Sequence, residues 1–248
     1  MIQDLHSHTY YSFCGRDNPE ETVKTAIAGG IELFGITDHA HGVGHGRMEV
    51  YRAADAVTFA NYDRTLPRYF DHMDLVRQKY KDQIRILCGI ELNTQGDHPR
   101  ANLPPNTDIS FFDYCLIENL DYADTITGGD LFGYAKQFGC PVKGVAHTDL
   151  FSFCAAKGYD PMDYFKRMAE ENIFWEMNVS FDSIHKYYEH PYMLEFFRNE
   201  AQQEIVRKSG VRLSVGFDGH RVEDYLPQRV TDYCKKVEAM GIKMAFED

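Results

Sequence analysis

Short apolar runs recur along the chain, each bounded by Gly, Pro or polar residues. Runs of this length and composition are typical of buried β-strands. The first strand is predicted within residues 1–10 and leads directly into His6-x-His8. Six later strands are predicted over residues 31–36, 84–90, 111–117, 141–146, 173–177 and 211–216.

Helical patterns lie between these runs. Asn18-Pro19-Glu20-Glu21 is a typical helix start and Gly29-Gly30 a typical end. Residues 40–64 show no clear period and are predicted to form a long loop. Further helices are predicted from Pro67 and over 129–138, 161–171, 191–209 and 228–240, with a short final strand over 242–246.

The regular alternation of strand and helix predicts an α/β protein with a parallel sheet. The chain has 248 residues, a common length for an α/β barrel that forms one domain. Neither a Ser/Gly/Pro-rich linker nor an internal repeat divides the sequence. We therefore expect residues 1–248 to form a single barrel domain.

Polar side chains of metal-ligand type follow nearly every predicted strand. In a parallel barrel the carboxyl ends of the strands share one face, where barrel active sites lie. Alternation along an extended strand also places residues i and i+2 side by side. The residues expected to converge are His6, His8, Asp38, His39, Glu91, Glu118, Asn119, His147, Asn178, Asp218 and His220.

These residue types favour a metal site. Imidazole and carboxylate ligands suit zinc, manganese or iron, and the set is too large for one tetrahedral ion. Two or three ions are therefore predicted, with Glu91 and Asp218 as bridges. Such a cluster suits hydrolysis of a phosphate ester, because the ions polarise the phosphoryl group, lower the pKa of a bound water and stabilise both in-line oxygens.

Composition and charge limit the kinds of binding partner that we expect. The chain is 44% hydrophobic and 26% charged, as in globular proteins, and its net charge of −12 disfavours nucleic acid and anionic membranes. No apolar run resembles a signal peptide or a membrane span. Six scattered cysteines without CxxC spacing favour reduced thiols and a cytoplasmic location. Only Cys14 lies near the predicted cluster.

Five motifs follow one another along the chain: Asp4-Leu-His-Ser-His-Thr9, Ile36-Thr-Asp-His39, Gly89-Ile-Glu91, Ala146-His147 and Gly216-Phe-Asp-Gly-His220. In this order they resemble the motifs of the PHP (polymerase and histidinol phosphatase) superfamily. The resemblance implies a distorted (β/α)7 TIM-like barrel, a trinuclear metal site at its C-terminal face and phosphoesterase activity. In length, and in lacking a polymerase region, the chain is similar to the histidinol-phosphatase-like members.

The resemblance also implies which residues hold each ion. The first ion would be held by His6, His8, Glu91 and Asp218, the second by Glu91 and His147, and the third by His39 and His220. Two positions depart from the family pattern. Cys14 stands where the family commonly has Asp or His, and Glu118-Asn119 stands where it usually has a His. A Cys14 thiolate and Glu118 or Asn119 are candidate replacements.

For several other residues the sequence allows more than one role. Asp38 is either a residue that orients His39 or a strand-end cap. His147 and His220 are candidates for proton transfer in addition to ligation. Asn178 either lines the pocket or belongs to a turn.

A planar guanidinium suits a substrate phosphate, and Arg16 and Arg47 are the preferred candidates. The competing cations are Arg100, Lys143 and Arg221. His41 and His45 are expected to lie in a solvated loop, and no role is expected for His190.

The function that these features favour is metal-dependent hydrolysis of a small phosphomonoester, with histidinol phosphate as the preferred substrate. A phosphodiesterase or 3′–5′ exonuclease of the same superfamily is the first alternative, although the acidic charge disfavours long nucleic acids. The second alternative is a non-catalytic metal-binding regulatory module, supported by the departures at Cys14 and Glu118-Asn119.

Overall fold

The computed structural model describes residues 1–46, 60–180 and 188–247. Within these ranges, seven parallel strands form one sheet in the order in which they occur along the chain. They are β1 (Gln3–Asp4), β2 (Leu33–Ile36), β3 (Arg85–Leu92), β4 (Tyr114–Ile117), β5 (Lys143–Val145), β6 (Ile173–Asn178) and β7 (Leu213–Gly216). The predicted parallel sheet is confirmed.

The first and last strands meet, so the sheet curls into a barrel. Leu5 donates its backbone N–H to Val215 O at 2.9 Å, and His8 donates to Gly219 O at 2.8 Å. Asp218 donates its backbone N–H to His6 O at 2.8 Å. These bonds connect the two ends of the described chain and confirm the predicted α/β barrel.

Helices pack against the outside of this sheet. The first begins as predicted, because the Asn18 side chain and Glu21 form a reciprocal capping box. The helices are α1 (Pro19–Ala28), α2 (Ala40–His45), α3 (Tyr62–Tyr80), α4 (Leu131–Ala135), α5 (Leu150–Lys157), α6 (Pro161–Glu170), α7 (Pro191–Phe196), α8 (Glu200–Ser209) and α9 (Pro227–Ala239).

The predicted loop over 40–64 is wrong at both ends. Residues 40–45 form α2, and α3 begins at Tyr62 with Pro67 inside it. A proline there removes one helical hydrogen bond. Burial of Tyr62 and Leu66 against the core offsets that loss.

Two other predicted elements differ, and one helix was not predicted. The helix predicted over 191–209 is broken, because the Asn199 side chain accepts from Gln202 N and caps a new helix. Asp149 caps α5, which the sequence interpretation missed. The final strand predicted over 242–246 is reduced to one parallel bridge between Leu213 and Met244.

The apolar core has two parts. The larger part lies between the sheet and the helices, and a smaller part fills the barrel with side chains such as Leu33, Tyr114 and Phe174. Each of these three belongs to the first half of its strand. The carboxyl ends of the strands are thus left for polar side chains. No helix in the described ranges is both long and apolar enough to cross a membrane.

Candidate metal centre

His6 and His8 extend β1 and lie side by side, as the alternation of an extended chain predicts. Both side chains are buried, and their Nε2 atoms are 3.2 Å apart. Asp218, which follows β7, places Oδ1 3.0 Å from His8 Nε2 and 3.5 Å from His6 Nε2. The junction between the two ends of the barrel therefore assembles the first group of potential ligands.

Glu91 lies at the centre of the cluster. Its Oε1 is 3.1 Å from His6 Nε2, and its Oε2 is 2.9 Å from His39 Nδ1. His147 Nε2 is 3.6 Å from Oε1 of the same carboxylate. Glu91 thus faces side chains from three separate strand ends, the arrangement expected of a bridging ligand.

Glu118 lies on the far side of Glu91. Its Oε1 is 3.4 Å from His39 Nδ1, and its Oε2 is 3.8 Å from His147 Nε2. The neighbouring Asn119 donates its side-chain amide to Asn93 Oδ1 at 3.0 Å. Of the two candidate replacements at this strand end, the geometry brings Glu118 into the cluster.

Cys14 faces the opposite side of the cluster. Potential ligand atoms of Cys14, His8 and His220 lie within 4.8 Å of one another. The His220 ring stacks on that of His8 with centroids 4.6 Å apart, and its Nε2 is 3.7 Å from Asp218 Oδ1. Nine side chains from six strand ends and one loop thus form four overlapping groups of three ligands.

The donor atoms of the cluster fit divalent metal ions. Both Glu91 oxygens and Glu118 Oε1 are buried and, within the described ranges, face only histidine nitrogens instead of ordinary hydrogen-bond donors. Nδ1 of His220 is also buried without a hydrogen-bond partner in those ranges. Buried polar atoms are normally paired, so this concentration of unpaired ligand atoms fits a site for divalent cations.

Electrostatics in the cluster favours charged groups. Burial raises the pKa of Glu91 and Asp218, but nearby histidines, His6 foremost, hold both well below their usual ranges. Burial lowers the pKa of His147 and His220, but neighbouring carboxylates raise both to about 9. Without metal, protons on the histidines therefore balance the carboxylates.

The Cys14 thiol differs from most of the other cysteines in its acidity. Burial raises its pKa, but His39 and His8 lower it to about 5. Burial, together with the nearby Asp160 and Asp149 carboxylates, raises the pKa of Cys154 to about 12. Cys14 is therefore in an environment that favours the thiolate, which is the form that binds metals.

Three residues at the strand ends adopt left-handed backbone conformations. The φ angles are 61° at Asn119, 27° at His147 and 56° at Asp218. This region is unfavourable for residues with a Cβ and is common at functional sites. The strain turns the chain sharply where two of the potential ligands must face the barrel axis.

Glu176 supports the cluster from below and was missed by the sequence interpretation. Its Oε1 is 2.7 Å from His6 Nδ1, and its Oε2 accepts the backbone N–H of His147 at 2.9 Å. Gly216 leaves room for this pair, since a methyl group there would overlap Glu176 and His6. A single acidic residue inside an apolar strand, two positions before Asn178, was the only sequence signal.

Asp38 holds the loop that follows β1. Its carboxylate accepts from Thr9 N and Oγ1 at 2.7 and 2.6 Å, from Ser12 N and Oγ at 3.0 and 2.7 Å, and from Tyr69 Oη at 3.1 Å. Ser12 Oγ is in turn 3.2 Å from His8 Nδ1. The same Ser12 Oγ accepts the backbone N–H of His39 at 2.9 Å, so Asp38 is connected through Ser12 both to His8 and to His39, the residue to which the sequence interpretation linked it.

The residues predicted to bind substrate differ in where they lie relative to the cluster. Asn178 is buried and donates to Glu176 Oε2 at 3.3 Å, directly beneath the ligands. Arg16 is exposed, and its backbone N–H donates to His220 O at 3.0 Å. Arg47 lies outside the described residues. Lys143 is at the amino end of β5, on the opposite face of the barrel.

Two histidines differ from expectation. His41 is buried in α2 with its ring 4.8 Å from that of His39, so the prediction of a solvated position is wrong. His190 stacks on His147 with centroids 6.0 Å apart. Neither position follows a strand, so strand-end reasoning gave no reason to place them near the cluster.

Comparison with known proteins agrees with this architecture. A histidinol-phosphatase of Lactococcus lactis subsp. lactis (strain IL1403) is 28% identical over 89 residues, a match that spans 36% of this chain and only 28% of that protein. The crystal structure of a histidinol phosphate phosphatase from Lactococcus lactis, complexed with zinc, L-histidinol and phosphate, has a TM-score of 0.62 at 15% identity. The alignment covers 98% of this chain and 95% of that one, and it shows a common fold.

A family model described as the PHP domain matches residues 4–246, nearly the whole chain. The match includes every strand of the barrel except part of the first, and every side chain of the metal-ligand cluster. This chain therefore belongs to the PHP domain family.

Proposed function

We propose that this protein is a metal-dependent phosphatase of small phosphomonoesters, with histidinol phosphate as the preferred substrate. The observation that carries the proposal is the cluster of buried, unpaired carboxylate and imidazole atoms at the carboxyl ends of the strands. Membership of the PHP domain family and the zinc, L-histidinol and phosphate bound by a protein of the same fold support it.

We assign the ligands to two or three divalent ions, zinc, manganese or iron. His6, His8, Glu91 and Asp218 hold the first, and the second shares Glu91. His147 and Glu118 complete the second group, while His39, His220 and Cys14 provide the third. Donor atoms within 4.8 Å of one another include His6, His8 and Asp218 of the first set, and Glu91, Glu118 and His147 of the second. Cys14 and His220 of the third set share such a group with His8, and His39 shares another with His8 and Glu91.

When bound, such ions supply Lewis acidity for a phosphoryl group and lower the pKa of water. The chain's own residues position the substrate and move protons. His147 and His220 are the more exposed imidazoles of the cluster, with side chains 20% and 13% accessible, whereas His6 is inaccessible. They therefore face the opening, where they can exchange a proton with a leaving alkoxide in addition to ligating.

Two further side chains are proposed to position the substrate. The Arg16 guanidinium, on the exposed loop beside His220, suits an anionic phosphate through its planar fork. Asn178 is buried beneath the candidate ligands, where its side-chain amide donates to Glu176. We propose that it lines the inner end of the substrate site. Asp38 acts indirectly, since it fixes Ser12 and through it His8.

The test is hydrolysis of histidinol phosphate and of a panel of sugar and nucleotide monophosphates by purified protein loaded with zinc or manganese. We expect phosphate release that chelation abolishes and that metal restores. A His8→Ala variant should lose activity, and Glu170→Gln, on the exposed end of α6, is the matched surface control. Protein with bound metal that hydrolyses none of these esters, or that instead degrades an oligonucleotide, contradicts the proposal.

A further inference from the structure

The two sides of the cluster offer different types of donor atom. One side combines sulfur and nitrogen, from Cys14, His8 and His220, within 4.8 Å of one another. The other side combines two carboxylates with one imidazole, from Glu91, Glu118 and His147. His8 also belongs to groups that contain Asp218 or Glu91, so the sulfur side and the carboxylate side join at the centre.

Backbone bonds hold Cys14 against the cluster. Arg16 N donates to His220 O at 3.0 Å. Tyr10 N donates to Asp17 O at 2.8 Å, which closes the loop that contains the cysteine. Gly15 packs so closely on the backbone of Thr9 that a Cβ there would overlap it. The Cys14 sulfur lies within 4.8 Å of a ring nitrogen of His8 and of His220. The fold therefore fixes the thiol beside the other candidate ligands.

Metal ions differ in their preference for such donors. Thiolate ligands favour zinc and similar thiophilic ions, whereas carboxylates suit manganese and other hard ions. An aspartate or histidine at position 14 would leave the two sides more alike. A cysteine at position 14 makes the side near His220 selective for thiophilic ions over manganese.

We infer that the cluster is a mixed-metal centre, in which Cys14, with His220, retains a thiophilic ion of the zinc class and excludes manganese, while the Glu91, Glu118 and His147 side accepts a harder ion. The inference rests on the proposed metal-dependent function, because it names the ion class at part of the same site. It predicts a spectroscopic property that is independent of turnover.

The probe is cobalt(II), a coloured substitute for zinc. Titration of the metal-free protein should produce a near-ultraviolet thiolate-to-cobalt charge-transfer band in addition to visible d–d bands. The Cys14→Asp variant should bind cobalt without that band. Cys140→Ser should keep it, since Cys140 precedes β5 on the opposite face of the barrel and donates to Val142 O, a contact that serine can replace.

A second measurement counts the ions that the protein binds. Wild-type protein dialysed against manganese alone should bind fewer ions than the same protein dialysed against zinc, as counted by elemental analysis. Cys14→Asp should remove that difference. Absence of a charge-transfer band in wild-type protein, a band that survives in Cys14→Asp, or equal manganese and zinc contents in the wild type would each overturn the inference.

These readouts separate the inference from the proposed function. Protein that hydrolyses phosphomonoesters but shows no sulfur–cobalt band retains the function and loses the inference. Protein that shows the band and the zinc preference, yet hydrolyses no phosphomonoester, retains the selective site and loses the function.

Discussion

At the scale of single residues, the Glu176 carboxylate connects two candidate ligands that are distant in sequence. One oxygen contacts the His6 ring nitrogen that faces away from the cluster, which leaves Nε2 directed at Glu91 and His8. The other oxygen accepts the backbone N–H of His147, whose φ of 27° needs such support. Glu176 therefore positions two candidate ligands, as outer carboxylates do at metal sites.

The Glu176→Gln substitution is predicted to weaken metal binding. An amide keeps the shape but removes the negative charge beside His6, so the ring orientation and basicity are less well held. We expect about a 10–100-fold loss of zinc affinity with the fold retained, measured by competition with a chromophoric chelator and by circular dichroism.

The matched control is Glu170→Gln, the same change on an exposed face of α6. Unchanged zinc affinity in Glu176→Gln would show that Glu176 serves only the packing of β6.

At the scale of elements, the loop between β1 and α1 carries both His8 and Cys14. The hydrogen bonds to Asp38, at the end of β2, gather this loop around one carboxylate. Tyr69 from α3 donates to the same group. Strand, loop and helix are thus joined at one buried acid, and the positions of the loop ligands depend on it.

The Asp38→Asn substitution is predicted to loosen this loop. The new amide group faces N–H and O–H donors, so at least one buried donor loses its acceptor. We expect the free energy of unfolding to fall by about 1–3 kcal/mol, measured by urea denaturation of the metal-free protein.

Asp82→Asn, in the exposed turn after α3, is the control and should leave stability unchanged. If the two variants unfold at the same urea concentration, the Asp38 hydrogen bonds contribute nothing net to stability.

At the scale of the whole molecule, closure of the barrel concentrates charge at one face. The contact of β1 with β7 brings Asp218 against His6 and His8, while β3 supplies Glu91 between them. In the metal-free protein the pKa of His147 and that of His220 are about 9, above the ordinary 6.5. Proton binding is therefore linked to folding at this face.

The sign of the linkage gives a pH prediction for the chelated protein. A histidine with a raised pKa stabilises the fold below its unfolded value and loses that contribution as pH rises through its folded value. The free energy of unfolding should therefore fall from about pH 6.5 to about pH 9. Urea denaturation at several pH values in that interval measures it.

Added zinc should reverse this trend, since protons compete with metal for the same nitrogens. The extra stability that zinc provides should grow as pH rises over the same interval. A flat profile in the chelated protein, or a zinc effect that shrinks with rising pH, would contradict the linkage.

The sequence by itself determined the order of the seven strands and the face of the barrel on which the candidate ligands lie. Apolar runs that end in His, Asp or Glu carry that information locally, because strand ends in a parallel barrel must share one face. The alternation of side chains in an extended strand likewise set His6 beside His8. Recognition of the family from the same motifs is confirmed.

Only the tertiary structure decided which side chains meet across the barrel. Glu176 lies inside a strand, and its partners His6 and His147 are separated from it by 170 and 29 residues. His41 lies in a helix that weak local signals did not predict, and its burial depends on packing near His39. Such contacts depend on the closure and curvature of the sheet, which bring together residues that no local spacing relates.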